Sequence, residues 1–375
     1  MRFLIVAASI GSGHMKAAEA IRSEIKNKYE DAEVLVIDFT KWSISWATAF
    51  MKACYLFMLR FIPNLYDLMY RFTGGKSGGL SVQSLISVIT SHDIKALTRK
   101  YHPDVVICTH PFPEGAANHR HKNHPSEFML ATVITDYSVH QMWIYHHVDC
   151  YFVARESMRL DLIAAGIAPD SIFVTGIPVS DAFHEAVSYE EIASIREKLK
   201  LDASHPSILI MGGGLGLGGM DLALSAIEKI KRPVDVIVVA GRNEKLRAKA
   251  EALMQHAPHH VVVFGFTTHV RELMAVSSFI ITKPGALTIS EAMAAGVPLL
   301  LHEPIPGPET QNAVLAVHDG IARWVNDASK LSDAISELLD ESGALESMRR
   351  RANEMKKPYA ARDIVSTLMR RYEAK

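Results

Sequence analysis

Short runs of aliphatic and β-branched residues alternate with segments of helical period. Twice, the run that opens a series breaks directly into a glycine-rich loop. The first run, residues 3–8, ends at Gly11, Ser12, Gly13 and His14, after which Met15, Ala18, Ile21 and Ile25 recur at helical spacing. Further runs lie at 34–37, closed by Asp38, and at 105–108, 131–135 and 150–153. A second series follows Pro206, at 208–211, 236–240, 261–264, 279–282 and 298–301. Continuously apolar strands alternating with helices are the pattern of a parallel sheet covered on both faces. The chain is therefore expected to be α/β, built of two doubly wound units. Residues 174–179, Val-Thr-Gly-Ile-Pro-Val, form a Gly/Pro junction between the series. That junction sets the expected domains at 1–176 and 177–358, with an amphipathic helix over about 359–375 able to pack back on the first.

The chain length of 375 residues suits two domains. With 49% hydrophobic and 22% charged residues it can fill two cores, which excludes a disordered chain. A net charge of -1 gives no global basic field, so no nucleic-acid partner is expected. Cys54, Cys108 and Cys150 are too scattered for a metal set and suit a reducing compartment. The N-terminus, with a single Arg before its short apolar run, reads as a first core strand and not as a signal peptide. No uncharged stretch reaches the ~18–20 residues that span a bilayer, so a soluble or peripheral protein is expected.

Residues 42–72 depart from the alternation. They hold Trp42, Trp46, Phe50, Tyr55, Phe57 and Phe61, with Lys52, Arg60 and Arg71 interspersed. Two readings stand. One is a buried helix pair. The other is an interfacial element whose aromatic residues enter the headgroup layer while its basic residues meet phosphates.

Each glycine loop offers backbone N–H groups at a helix N-terminus, where an anion is stabilised. The first lacks the third glycine of a dinucleotide fingerprint, since Lys16 stands there. The second, residues 212–219, contains Gly214 and Gly216 and matches G-x-G-x-x-G. Its following strand ends at Ala240, Gly241 and Arg242 without the acid that would hold a nicotinamide ribose, so a phosphate cradle fits better. Gly74, Gly75, Lys76 and Ser77 are no P-loop, because Tyr70 occupies the first glycine position and no strand precedes. His119, His121 and His124 lack a zinc spacing. No Asp-x-Asp pair is present to hold a metal–diphosphate, and catalysis without a metal or other cofactor is expected.

Two further loops carry most of the polar chemistry. Thr282, Lys283, Pro284, Gly285, Ala286 and Thr288 lead into a helix bearing Glu291; Glu309, Gln311 and Asn312 follow the turn at 303–308. The Pro284-Gly285 opening lets a diphosphate meet the helix N-terminus, and Glu291 suits the two hydroxyls of a ribose. Glu309, Gln311 and Asn312 supply the donors and acceptors that sugar hydroxyls require.

Together these residues resemble glycosyltransferase family 28, and within it the bacterial processive diacylglycerol glucosyltransferases and plant monogalactosyldiacylglycerol synthases. The resemblance runs through Gly11-Ser12-Gly13-His14, the Pro-Asp-Val-Val-Ile-Cys-Thr-His-Pro-Phe segment from Pro103, and Val133-Ile134-Thr135-Asp136. It continues through 174–179, the second glycine loop, Lys283-Pro284-Gly285 and Pro306-Gly307-Pro308-Glu309. Pro308 stands where the family usually has Gln, and Ala286 where it commonly has Gly. The resemblance implies a GT-B fold, two Rossmann-like domains facing a central cleft. It also implies inverting transfer of a hexose from UDP-glucose or UDP-galactose to diacylglycerol. The donor set would be Gly214, Gly216, Arg242, Phe266, Lys283, Pro284, Gly285, Ala286, Thr288, Glu291, Glu309, Gln311 and Asn312. Acceptor and membrane contacts would fall on Gly13, Trp42, Trp46, Phe50, Phe57 and Arg60, on an anionic surface at the cytoplasmic face of the cell membrane. Asp136 and His14 are both candidates for the base. The alternatives are an undecaprenyl-linked N-acetylglucosaminyltransferase of peptidoglycan synthesis and a UDP-sugar 2-epimerase.

Overall fold

The computed structural model describes residues 1–9, 11–42, 53, 57–58, 62–212, 219–256 and 258–374. The chain divides into two compact units. One comprises Met1–Asp181, Pro306–Pro308 and Pro358–Lys375; the other comprises Ala182–Ile305 and Glu309–Lys357.

The first unit holds strands β1 (Arg2–Ala7), β2 (Glu33–Asp38), β3 (Val105–Cys108), β4 (Met129–Val133), β5 (Cys150–Val153) and β6 (Ile172–Val174). All pair in parallel, in the order β2-β1-β3-β4-β5-β6. β3, β4 and β5 are buried at every position and edge strand β2 at one, as expected when helices cover both faces. Period-2 alternation then divides the core: Leu4, Val6, Val106, Leu130 and Tyr151 face one layer, and Phe3, Ile5, Val105, Ala131 and Phe152 the other. The helix Gly13–Lys28 lays Ala18, Ile21 and Ile25 on the second layer. Ile364, Val365 and Leu368 of the C-terminal helix Ala360–Glu373 join that cluster, so the end of the chain is part of the first unit's core.

The second unit repeats the plan with β7 (Ser207–Met211), β8 (Asp235–Gly241), β9 (His260–Gly265), β10 (Phe279–Thr282), β11 (Leu299–His302) and β12 (Ala322–Val325). Their parallel order is β12-β11-β10-β7-β8-β9. Two strands were not read from the sequence. β6 is three residues long, and β12 interrupts its apolar residues with Arg323 and Trp324. β4 also begins and ends two residues before the run read at 131–135, which leaves Thr135 in the loop beyond the strand.

Doubly wound sheets bind ligands beyond the carboxyl ends of their strands, where the strand order reverses. In the first sheet that point lies between β1 and β3, and in the second between β7 and β10. The loop to His14 leaves β1, and Thr109 and His110 leave β3. Gly212 leaves β7, and Lys283, Pro284 and Gly285 leave β10. His14, Thr109, His110 and the Lys283-Pro284-Gly285 loop therefore lie at reversal points, whereas Asp136 follows β4 and Glu309 follows β11.

Candidate active site

At the first reversal point, the loops after β1, β3 and β4 are tied through His14. Its Nδ1 lies 2.8 Å from the Thr109 carbonyl and 2.6 Å from the Thr135 hydroxyl. The Thr109 hydroxyl in turn donates to the His14 carbonyl at 3.1 Å. A carbonyl only accepts, so Nδ1 carries the ring proton and Nε2 the lone pair. Burial lowers the imidazole from 6.5 to about 4, against a smaller upward pull from Thr109, so the ring is neutral at neutral pH. Asp136 follows Thr135 and is half-buried. Gly13 opens the helix Gly13–Lys28.

His110 packs edge-on against His14, with ring centroids 4.6 Å apart. It is the N-cap of the helix Pro111–Asn123, its Nδ1 accepting from the Phe112 amide at 3.2 Å. In the first turn of that helix Glu114 is fully buried beside the Thr132 hydroxyl, and burial pushes its carboxyl well up. Asp38 pins the start of the first glycine loop, its Oδ1 accepting from the Ser9 and Thr40 amides at 3.1 Å each. Burial raises the Asp38 carboxyl, but the bonds from Thr40 and Ser9 outweigh it and hold the group below its usual range.

At the second reversal point, Lys283 and Glu309 form a salt bridge with both side chains largely buried. The second Glu309 oxygen accepts from the Ile305 amide at 2.8 Å, and the Asn312 amide donates to the Pro284 carbonyl at 3.2 Å. These bonds clasp the loops after β10 and β11 together. Gly285 is the N-cap of the helix Ala286–Ala295, which has no side-chain cap, so its first N–H groups stay available to an anion. Glu291 is buried in that helix, and Thr288 is half-buried in its first turn. Gln311 is exposed on the helix Pro308–His318. Arg242 is exposed just past β8, and Phe266, beyond β9, is 75% exposed.

The candidates Trp46, Phe50, Arg60, Gly214 and Gly216 lie outside the described residues. Trp42 closes the short helix Phe39–Trp42, and Phe57 is exposed. Among the described residues no group of three or more His, Cys, Asp or Glu is placed to hold a metal ion.

Sequence reasoning gave no role to His110 or His302. His302 ends β11 and is buried, with no hydrogen-bond partner for either ring nitrogen among the described residues. It lies against Gly219, where a Cβ would fall 3.0 Å from His302 Cε1 and 2.5 Å from Glu303 Cγ. Gly219 has φ 57°, so only glycine is at ease there. A lone histidine at a strand end gives no signal in a sequence, because its burial depends on neighbours remote in the chain.

Burial holds His302, like His14, down from 6.5 to about 4. A lowered histidine pKa stabilises the fold above the unfolded value of 6.5, and that stability is lost as pH falls towards 4. Each ring is worth on the order of 3 kcal/mol across this window. Urea midpoints should therefore fall steeply from pH 6.5 to 4.5, and His302→Asn should flatten the slope. An unchanged slope in that variant would show that His302 is not held neutral by the fold.

Residues 14–179 match the family described as monogalactosyldiacylglycerol (MGDG) synthase, and residues 191–355 match glycosyl transferases group 1. The processive diacylglycerol beta-glucosyltransferase of Bacillus cereus strain AH187 is 30% identical over 368 residues, covering 98% of this chain and 93% of that protein. The enzyme of the same name from Staphylococcus epidermidis strain RP62A is 29% identical over 370 residues, covering 98% and 92%. Among solved structures, Acinetobacter baumannii MurG aligns with a TM-score of 0.62 at 15% identity, covering 98% of this chain and 99% of that one. The S. aureus MnaA–UDP co-structure aligns at 0.64 with 14% identity, covering 97% and 94%. These likenesses establish the GT-B fold, with two Rossmann-like domains. The chain belongs to glycosyltransferase family 28, the family of the diacylglycerol glycosyltransferases that it resembles.

Proposed function

We propose that the protein moves a hexose from a UDP-sugar to diacylglycerol with inversion, forming a β-glycosyl glycolipid. The observation that carries this reading is the near end-to-end match to relatives named for that transfer. The second unit takes the donor. Backbone N–H groups at the start of the helix Ala286–Ala295 and the Lys283 ammonium offset the diphosphate charge, Glu291 takes the ribose hydroxyls, and Glu309, Gln311 and Asn312 take the sugar. The first unit takes the acceptor. His14 Nε2, the atom left with a lone pair, accepts the hydroxyl proton, and Asp136 orients the acceptor. The freed oxygen pair bonds to the anomeric carbon as its bond to the diphosphate breaks, and UDP leaves with the electrons.

Incubation with radiolabelled UDP-glucose or UDP-galactose and diacylglycerol vesicles tests the reading. Label should move into the lipid phase from at least one donor. Label that stays in water with both sugars overturns it. UDP at about 100 Kd should raise stability by about 2.7 kcal/mol, and NAD should not. A thermal shift with NAD and none with UDP would reject the donor site.

The same reading requires the protein to reach a lipid surface. Among the described residues no helix is long and apolar enough to cross a membrane. In the helix Pro63–Gly74, however, Leu65, Leu68, Met69 and Phe72 recur at one-face spacing, with exposures of 41%, 64%, 41% and 65%. We assign this face to seating the protein on an anionic bilayer, together with Phe57. Leu68→Ser with Phe72→Ser should weaken vesicle binding about tenfold while UDP affinity holds. Undiminished vesicle binding would place the docking surface elsewhere.

A further inference from the structure

Two imidazoles meet at the first reversal point with opposite tautomers. His14 carries its proton on Nδ1, 2.8 Å from the Thr109 carbonyl, which leaves a lone pair on Nε2. His110 accepts the Phe112 amide at Nδ1, 3.2 Å away, which places its own proton on Nε2. The rings touch edge to face at 4.6 Å. Neither Nε2 has a hydrogen-bond partner among the described residues. Burial lowers both groups, His110 further through its proximity to His14, so neither ring is charged at neutral pH. One neutral acceptor and one neutral donor are therefore carried on adjoining rings.

A lone hydroxyl needs only one of them. A hydroxyl whose neighbouring carbon bears an ester offers a proton and, close by, an oxygen that can only accept. Resting on the transferase reading above, we propose that the two histidines read the lipid acceptor as a pair: His14 Nε2 takes the proton of the glycerol hydroxyl, and His110 Nε2–H donates to the ester carbonyl carried by the adjoining carbon. The hydroxyl O–H bond breaks towards His14, and its electron pair goes to the anomeric carbon. His110 exchanges no proton. Its part is to orient the glycerol and to favour an ester over an ether, which has no carbonyl oxygen at that position and leaves the N–H unpaired.

Turnover on a 1,2-diacylglycerol and on the matching 1,2-dialkylglycerol ether, with the same UDP-sugar, tests this on the unmodified protein. The ester should be favoured about ten- to a hundredfold in kcat/KM. His110→Asn keeps an oxygen to cap the Phe112 amide, but its shorter amide does not reach the Nε2 position. Melting temperature and UDP affinity should hold, while the preference collapses to within about threefold through loss on the ester alone. A merely structural His110 would lower both lipids together. Equal use of ester and ether by the unmodified protein, or a preference kept by His110→Asn, overturns the inference and leaves the transferase reading standing. No transfer to either lipid sinks both. If His110→Asn does not fold, the ester–ether ratio of the unmodified protein decides alone.

Discussion

His14→Ala should cut turnover by about a hundred- to ten-thousandfold, the range of a positioned general base, and leave UDP-sugar affinity nearly unchanged. The separation follows from where the groups lie. His14 is bound to Thr109 and Thr135 in the first unit, whereas the residues assigned to the donor all belong to the second. Loss of the ring therefore removes the proton acceptor without touching the diphosphate groups. Asp136→Asn, which changes charge but little shape, separates the two candidates. Near-normal turnover in that variant, with His14→Ala inactive, makes His14 the base. The reverse result moves the base to Asp136 and leaves His14 an orienting role. The pH profile gives a second readout. Because burial holds His14 down to about 4, its lone pair is present throughout the neutral range, and kcat/KM should stay level until its acid limb near pH 4. An acid limb near pH 6.5 would mean that the working base is an ordinary, solvated imidazole.

Glu309→Ala should destabilise the protein by about 3–5 kcal/mol, the cost of leaving the other half of a buried ion pair without its partner. The side chains of Lys283 and Glu309 are only 10% and 12% exposed, so water cannot take over the ammonium that remains. The Ile305 amide also loses its acceptor. The urea midpoint should fall and UDP-sugar affinity with it, since the loops after β10 and β11 are no longer clasped. Stability and binding can be separated. Lys283→Met combined with Glu309→Leu removes both charges, and replacement of a buried pair by apolar groups is often neutral. That double variant should regain most of the stability and none of the donor affinity. An unaltered midpoint for Glu309→Ala would mean that the pair is solvated and weak. Normal UDP-sugar binding by the double variant would remove Lys283 and Glu309 from the donor site.

The sequence alone determined the layout. Ten apolar runs marked ten of the twelve strands among the described residues; for the inner strands this is because a strand buried on both faces must be apolar at every position, and that requirement is local. The glycine loops and the order of Gly-Ser-Gly-His, Lys-Pro-Gly and Pro-Gly-Pro-Glu marked the family, since each is a short segment whose backbone must admit a ligand. The edge strands β6 and β12 escaped because an edge carries less burial and so less pattern. Tertiary structure alone decided which strands are neighbours, and hence that the loops after β1 and β3 meet. The His14 tautomer depends on a carbonyl 95 residues away, and that of His110 gains meaning only once the two rings touch. The Lys283–Glu309 clasp joins groups 26 residues apart across two strand ends. Leu65, Leu68, Met69 and Phe72 could equally have been core by their spacing, since periodicity tells which residues share a face and not what covers it. Hydrogen-bond partners and exposure are set by strand order and register, quantities that no local stretch of chain contains.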